Sequence, residues 1–349
     1  MLAVCACGGP TTSDPVGFVA DAGGARPDSG TVGNDDGGST DGGAPLPDAG
    51  ASDAGVPDAG VPDTGIPDSG VADAGSTGPV DAGSWRTSLA NCWTDATCPR
   101  LLSVAHGGAW TSSLPYDSNG ALAAAYALGL DGVKIDVRVT ADNVPVVAHS
   151  SPIELFESLD CYGKSIESMT AAQVTACHRV PSTSEKFQRL DEVLQYLRGK
   201  LVVQLCVKKP ADFGRTIAEI HSQGAEDFAF IEVNTSDLPA IPSLPGAATV
   251  WYLVNVGGNL AEVDTVIAMN FSRAFMVEFD PSVSLGNVVA TKLHPAGKRS
   301  FTYDNAASPT VAQLRARFDQ GFEAVSAQSA ANLVQARQQA NQARAVSPP

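Results

Sequence analysis

From residue 101 onward, apolar and polar positions follow two alternating rhythms. Short runs rich in β-branched and aromatic residues appear at 101–106, 132–139, 201–207, 228–233, 249–255, 274–279, 299–304 and 322–327, each of strand length. Between them lie stretches with helical spacing. "SNGALAAAYALGL" opens on Ser118 or Asn119, both good N-caps, and "ADFGRTIAEIHSQG" and "SPTVAQLRARFDQG" each end on a glycine suited to the position after a helix. Eight strands alternating with helices over about 250 residues is the size and rhythm of an α/β fold of the (β/α)8, or TIM-barrel, type. An open doubly wound sheet is the rival arrangement. The helix after the sixth run reads weakly.

Residues 8–83 show neither rhythm. They are built from Gly, Asp, Ala, Pro, Ser, Thr and Val, and from Leu46 they repeat every five residues: LPDAG, ASDAG, VPDAG, VPDTG, IPDSG, VADAG. So few large apolar side chains cannot offset the entropy of ordering the backbone, and the tract is expected to be a disordered linker. The division is therefore 1–7, 8–83 and a barrel domain over 84–349. The linker also holds most of the charge. Of the net −16, it contributes 13 Asp against the single Arg26. The barrel is close to balanced and has no basic stripe, which argues against nucleic acid as a partner.

The chain starts "MLAVCACGG", small and apolar residues leading to cysteine. This is similar to a bacterial lipobox, with Cys7 the better lipidation candidate and Cys5 the second. Only six residues precede Cys7, fewer than a signal peptide needs, so an upstream start is expected. A lipid anchor on a long linker implies a cell-envelope location, at the outer membrane or cell surface, with a secreted form as the alternative. No later run reaches the roughly 18 apolar residues of a membrane-spanning helix. Cys92 with Cys98, and Cys161 with Cys177, lie in loop-like stretches; two local disulfides fit an oxidising compartment. A monomer is expected.

In a (β/α)8 barrel the chemistry sits at the C-terminal ends of the strands, which directs attention to His106, Asp136, Gln204, Glu232, Glu278 and Asp280. Alternation puts Lys134, Asp136 and Arg138 on one face of the second strand and Val133, Ile135 and Val137 on the other. Three ionisable groups inside a barrel must cluster at its polar mouth.

The run from His106 to His149 resembles the glycerophosphodiester phosphodiesterase family. That family ends its first strand on His-Arg-Gly, caps a helix with Pro-Glu-Asn-Thr, carries Glu-x-Asp on its second strand, and follows with Thr-x-Asp-Gly and His-Asp. The counterparts are "HGG" (106–108), "PYDS" (115–118), "KID" (134–136), "TADN" (140–143) and "HS" (149–150). The spacing from Asp131 to His149 matches without a gap. The resemblance implies hydrolysis of a small phosphodiester or phospholipid headgroup by two histidines, His106 and His149, one as general base and one as general acid, aided by a divalent cation such as Mg²⁺ or Ca²⁺. Imidazoles suit either role near neutrality.

The departures from the pattern matter as much. Lys134 replaces the first metal carboxylate, and Gln204 replaces that of the third strand's Glu-x-Lys, with Cys206 in place of its lysine. Gly107 and Tyr116 replace the Arg and the Glu of the first two motifs. Asp136 alone remains as a metal ligand, and a hard cation wants several oxygens with little positive charge beside them. The expected cofactor is therefore none, or a weakly bound divalent cation. Three readings of Lys134 stay open: it holds a phosphate oxygen in the cation's place, it salt-bridges Asp136 or Glu232 in a barrel that binds without turnover, or it faces solvent while Glu232, Glu278 or Asp280 supplies a relocated metal site. Trp110, Tyr116, Gln204 and Arg138 are candidate substrate contacts around the mouth.

Overall fold

The computed structural model describes residues 86–182 and 184–346. The lipidation readings at Cys5 and Cys7 and the linker reading of 8–83 lie outside the described residues. Ten strands occur in chain order: β1 (Leu102–His106), β2 (Gly132–Val139), β3 (Pro145–Val147), β4 (Gln188–Arg189), β5 (Val202–Val207), β6 (Ala229–Asn234), β7 (Trp251–Gly257), β8 (Ala274–Phe279), β9 (Arg299–Asp304) and β10 (Ala324–Ala327). Eight of them, all but β3 and β4, pair in parallel from β1 through β2 and β5 round to β10. Because β1 bonds to both β2 and β10, the eight parallel strands close on themselves. The fold is a closed TIM barrel, and the open-sheet alternative falls on that pairing.

The helices form where the pattern places them. Seven are described: α1 (Asn119–Ala127), α2 (Ala171–Ala176), α3 (Leu190–Leu197), α4 (Phe213–Ser222), α5 (Ala261–Ala268), α6 (Val311–Asp319) and α7 (Ala330–Val346). Ser118, rather than Asn119, caps α1, its Oγ accepting from the Ala121 N–H. Gly224 and Gly321 follow α4 and α6 in the left-handed region, the conformation a helix stop needs. Two connections lack a full helix. Between β6 and β7, prolines at 239, 242 and 245 leave only the 3-10 turn Ile241–Ser243, since each removes a backbone donor. After β8 the chain makes a five-residue π turn (Val289–Leu293) and the 3-10 turn His294–Ala296.

Two apolar layers hold the barrel. The outer one packs Val133, Ile135, Val137, Val203, Leu205 and Val277 against the helices. The inner one fills the lumen toward the N-terminal ends of the strands with Leu102, Val104, Phe230, Leu253, Phe275 and Phe301, plugged from below by Leu89 and Trp93. With the bottom filled by hydrocarbon, the polar inward positions are left to the top. Among the described residues, the disulfides Cys92–Cys98 and Cys161–Cys177 tie the plug segment and the long β3–β4 connection. No helix of the described residues is long and apolar enough to cross a membrane.

Candidate active site

The site is built at the top of β1 and β2. Strand register sets His106 beside Lys134 and Lys134 beside Gln204, so three inward side chains start at one level of the lumen. β3 and β4 extend β2 as an antiparallel ribbon. The turn at Thr140–Val144 folds the chain back, and the Ala148 N–H bonds the Asp136 carbonyl, which delivers His149 over the mouth.

The backbone of His149 is clamped from two sides. Arg138 donates from Nε and Nη2 to the His149 carbonyl at 3.0 and 2.8 Å. Glu157, buried, accepts from the His149 and Ser150 N–H groups, both at 2.7 Å. Arg138 also reaches Glu167 at 3.4 Å. Its guanidinium is thus spent on positioning His149, whereas the sequence suggested a substrate contact.

Tyr116 stands between the two histidines. Its ring meets that of His106 edge-on at 5.8 Å and that of His149 at 5.9 Å, and Trp110 packs on it at 6.0 Å. Trp110 in turn donates from Nε1 to the His106 carbonyl. The Tyr116 hydroxyl donates to Asp136 Oδ2 at 2.9 Å. A Cβ on Gly107 would lie 2.0–2.6 Å from atoms of the Tyr116 ring, and Gly107 has φ +69°. Gly107 and Tyr116 are therefore one coupled change from the family pattern: the tyrosine ring occupies the space a side chain at 107 would need.

The two lysines of the mouth each face a carboxylate. Lys134 Nζ lies 2.9 Å from Glu232 Oε2, whose same oxygen accepts from Gln204 Nε2. Lys208 Nζ lies 2.6 Å from Asp136 Oδ1. Burial alone would lower the Lys134 pKa, but Glu232, Glu278 and Asp136 hold it above the usual lysine value. Burial likewise opposes the charge on Asp136, and Lys208 with the two histidines nevertheless keeps its carboxyl well below the usual range. His106 is pushed down to about 3 by burial and by Lys134, so its imidazole is neutral. Glu278 is fully buried with both oxygens unpartnered among the described residues. Burial and the neighbouring Glu232 push its pKa well above the ordinary value.

A divalent cation does not fit these residues. Asp136 already takes an ammonium on one oxygen and a hydroxyl on the other. A dication sharing it at ~4 Å from Lys208 would meet about 8 kcal/mol of repulsion at an effective dielectric of 20. Glu232 gives Oε2 to both Lys134 and Gln204, and although its Oε1 and both Glu278 oxygens have no hydrogen-bond partner among the described residues, the Lys134 ammonium beside them opposes a second cation. Among the described residues the grouping with metal-ligand spacing is Asp160, Cys161 and Cys177, whose two sulfurs are joined to each other. The other three histidines lean on carboxylates elsewhere: His178 on Asp160, His221 on Glu226 and His294 on Glu323.

Three residues of this site have no place in the sequence motifs. Lys208 continues the inward face of Gln204 and Cys206, and period-two counting past the strand end would have found it. Glu157 and Arg179 come from the β3–β4 connection; Arg179 is buried and donates to the carbonyls of Tyr116 and Val147 at 3.0 and 2.7 Å. Their spacing from the motifs carries no signal.

The TIM barrel thus carries two histidines and an aspartate at its mouth. Residues 109–219 match the model of the glycerophosphoryl diester phosphodiesterase family, so the resemblance read in the sequence holds over that stretch. The match takes in Tyr116, Lys134, Asp136, His149 and Lys208, and begins just after His106. No curated protein matches the chain. Among solved structures, a glycerophosphoryl diester phosphodiesterase of Parabacteroides distasonis superposes with a TM-score of 0.60 at 18% identity, covering 70% of this chain and 89% of that one. A glycerophosphodiester phosphodiesterase of Agrobacterium tumefaciens gives 0.54 at 18%, over 67% and 99%. A phosphodiesterase of Oleispira antarctica, in complex with the product sn-glycerol-3-phosphate, gives 0.53 at 15%, over 69% and 98%. At these identities the likeness is one of fold.

Proposed function

We propose that the protein hydrolyses a phosphodiester of the glycerophosphodiester type, a free glycerophosphodiester or a phospholipid headgroup, with His106 and His149 as the acid–base pair. The observation that carries this reading is the placing of two imidazoles on either side of Tyr116, above Asp136, in a barrel whose 109–219 segment matches the family model. The neutral His106 has a free role as proton acceptor. An entering anionic phosphate would raise its proton affinity from the low value of the empty site. His149, fixed through its backbone and bonded at Nδ1 to Ser150 Oγ at 3.0 Å, is the partner that protonates the departing alcohol. Trp110 and Tyr116 form an aromatic wall beside the headgroup. The relative with bound sn-glycerol-3-phosphate supports a small phosphate ester as ligand.

The test is release of alcohol from glycerophosphocholine and glycerophosphoethanolamine by the full chain. His106→Ala and His149→Ala should each lower kcat/KM by at least 100-fold. Turnover unchanged in both variants would sink the reading. The Lys134–Glu232 pair favours one other outcome, a barrel that binds headgroups without turning them over; binding of glycerophosphocholine with no hydrolysis under any condition would establish it.

A further inference from the structure

We propose that the mouth of this barrel takes its phosphate-bearing ligand on two ammonium groups, Lys208 and Lys134, and admits no divalent cation. The proposal rests on reading the mouth as a phosphoester site and names what supplies the positive charge there. The two lysines come from the neighbouring strands β2 and β5 around Asp136. Lys134 is two residues earlier on the same strand, buried, and tied to Glu232 at 2.9 Å. Lys208 comes from just past the end of β5, its side chain 14% exposed, and is tied to Asp136 at 2.6 Å. An ammonium has three hydrogens. Among the described residues each of these two has one ion-pair acceptor, which leaves N–H donors for phosphate oxygens.

The same ion pairs close the site to a metal. Both oxygens of Asp136 are engaged, by Lys208 and by the Tyr116 hydroxyl, and the third-strand position beside Lys134 is the neutral amide of Gln204. Two ammonium charges against Asp136 and Glu232 make a balanced set. A dication would leave it strongly positive beside His106, whereas a phosphodiester monoanion adds one negative charge among unused donors. Lys208 is the more accessible of the two, so it is the group a ligand meets first.

The experiment is a pair of titrations on the full chain by calorimetry, freed of metal with chelator. Inorganic phosphate should bind with one-to-one stoichiometry in the presence of chelator, and Mn²⁺ at millimolar concentration should show no binding that Asp136→Asn removes. Lys208→Met should weaken phosphate at least tenfold, while Lys208→Arg should stay within threefold of the parent. Stoichiometric Mn²⁺ binding lost in Asp136→Asn would overturn the proposal. So would phosphate binding that requires Mn²⁺, that is absent altogether, or that is indifferent to Lys208→Met. The two wild-type titrations need no variant, so a poorly folding Lys208→Met protein does not remove the test. Diester hydrolysis separates the two readings: phosphate bound without metal but no hydrolysis refutes the enzyme and leaves this proposal standing. Hydrolysis that stops in chelator and returns with Mn²⁺ does the reverse.

Discussion

At the scale of single residues, the mouth works by substitution in pairs. Gly107 is tolerated, and required, because Tyr116 fills the volume beside it; Tyr116 is useful because its hydroxyl reaches Asp136. Gly107→Ala forces both a clash with the ring and a side chain at φ +69°, which costs about 1–2 kcal/mol in backbone strain alone. In a Tyr116→Ala background the clash is gone and only the strain remains. A double-mutant cycle followed by urea denaturation should therefore show a coupling of about 1–2 kcal/mol between positions 107 and 116. Additive effects would mean the two departures from the family pattern are unrelated. Lys134 shows the same logic in charge: a basic residue in place of a carboxylate survives burial because Glu232 faces it.

At the scale of elements, the β3–β4 connection exists to hold His149 still. Glu157 accepts two adjacent backbone N–H groups there, and a Gln can supply only one oxygen. Glu157→Gln should leave one buried donor unmet, at about 1–3 kcal/mol, and, on the proposed role of His149 as general acid, should lower kcat more than it raises KM, because it moves that side chain without touching the ligand. Glu167 staples the same connection: it accepts from Lys209 at 2.5 Å, from Ser165 at 2.8 Å and from Ser151. Burial opposes its charge, but these donors hold its pKa at about 2 against an ordinary 4.5. A depressed carboxylate stabilises the fold above its unfolded pKa and loses that contribution as pH falls through the folded one. Glu167→Gln should then cost about 1–2 kcal/mol at pH 7, after allowance for screening, and the difference from wild type should shrink between pH 4.5 and pH 2. Melting curves across that range check it; a pH-independent difference would assign the loss to packing instead.

For the whole molecule, the barrel separates stability from chemistry along its axis. The bottom is closed by Trp93 and by buried polar networks that never approach the mouth. Arg337 of α7 donates to Asp131 Oδ2, which also accepts from the Ser103 N–H and hydroxyl at 2.8 Å. Arg337→Met strands a fully buried carboxylate and should destabilise by about 3–5 kcal/mol, read from chemical denaturation. Phosphate binding at the mouth by the protein that remains folded should be unchanged. Loss of binding in parallel with stability would mean the two ends are coupled.

The sequence alone determined the architecture. Strand after strand, the β-branched runs fell within about two residues of the observed elements, because alternation and caps are local properties that burial then reinforces. It also set out the line of site candidates, His106, Lys134, Asp136, His149 and Gln204, since strand ends in a barrel converge whatever their separation along the chain. Partnership was another matter. Whether Lys134 would face Asp136, Glu232 or solvent stayed open until strand pairing put β5 beside β2 and β6 next to β5. Glu157 and Arg179 entered only with the tertiary fold, from a connection that carries no period, whereas Lys208 lay within reach of period-two counting past the end of β5. A buried charge chooses its partner by distance in three dimensions and by the cost of leaving any neighbour unpaired, and neither quantity is written in the spacing of one chain.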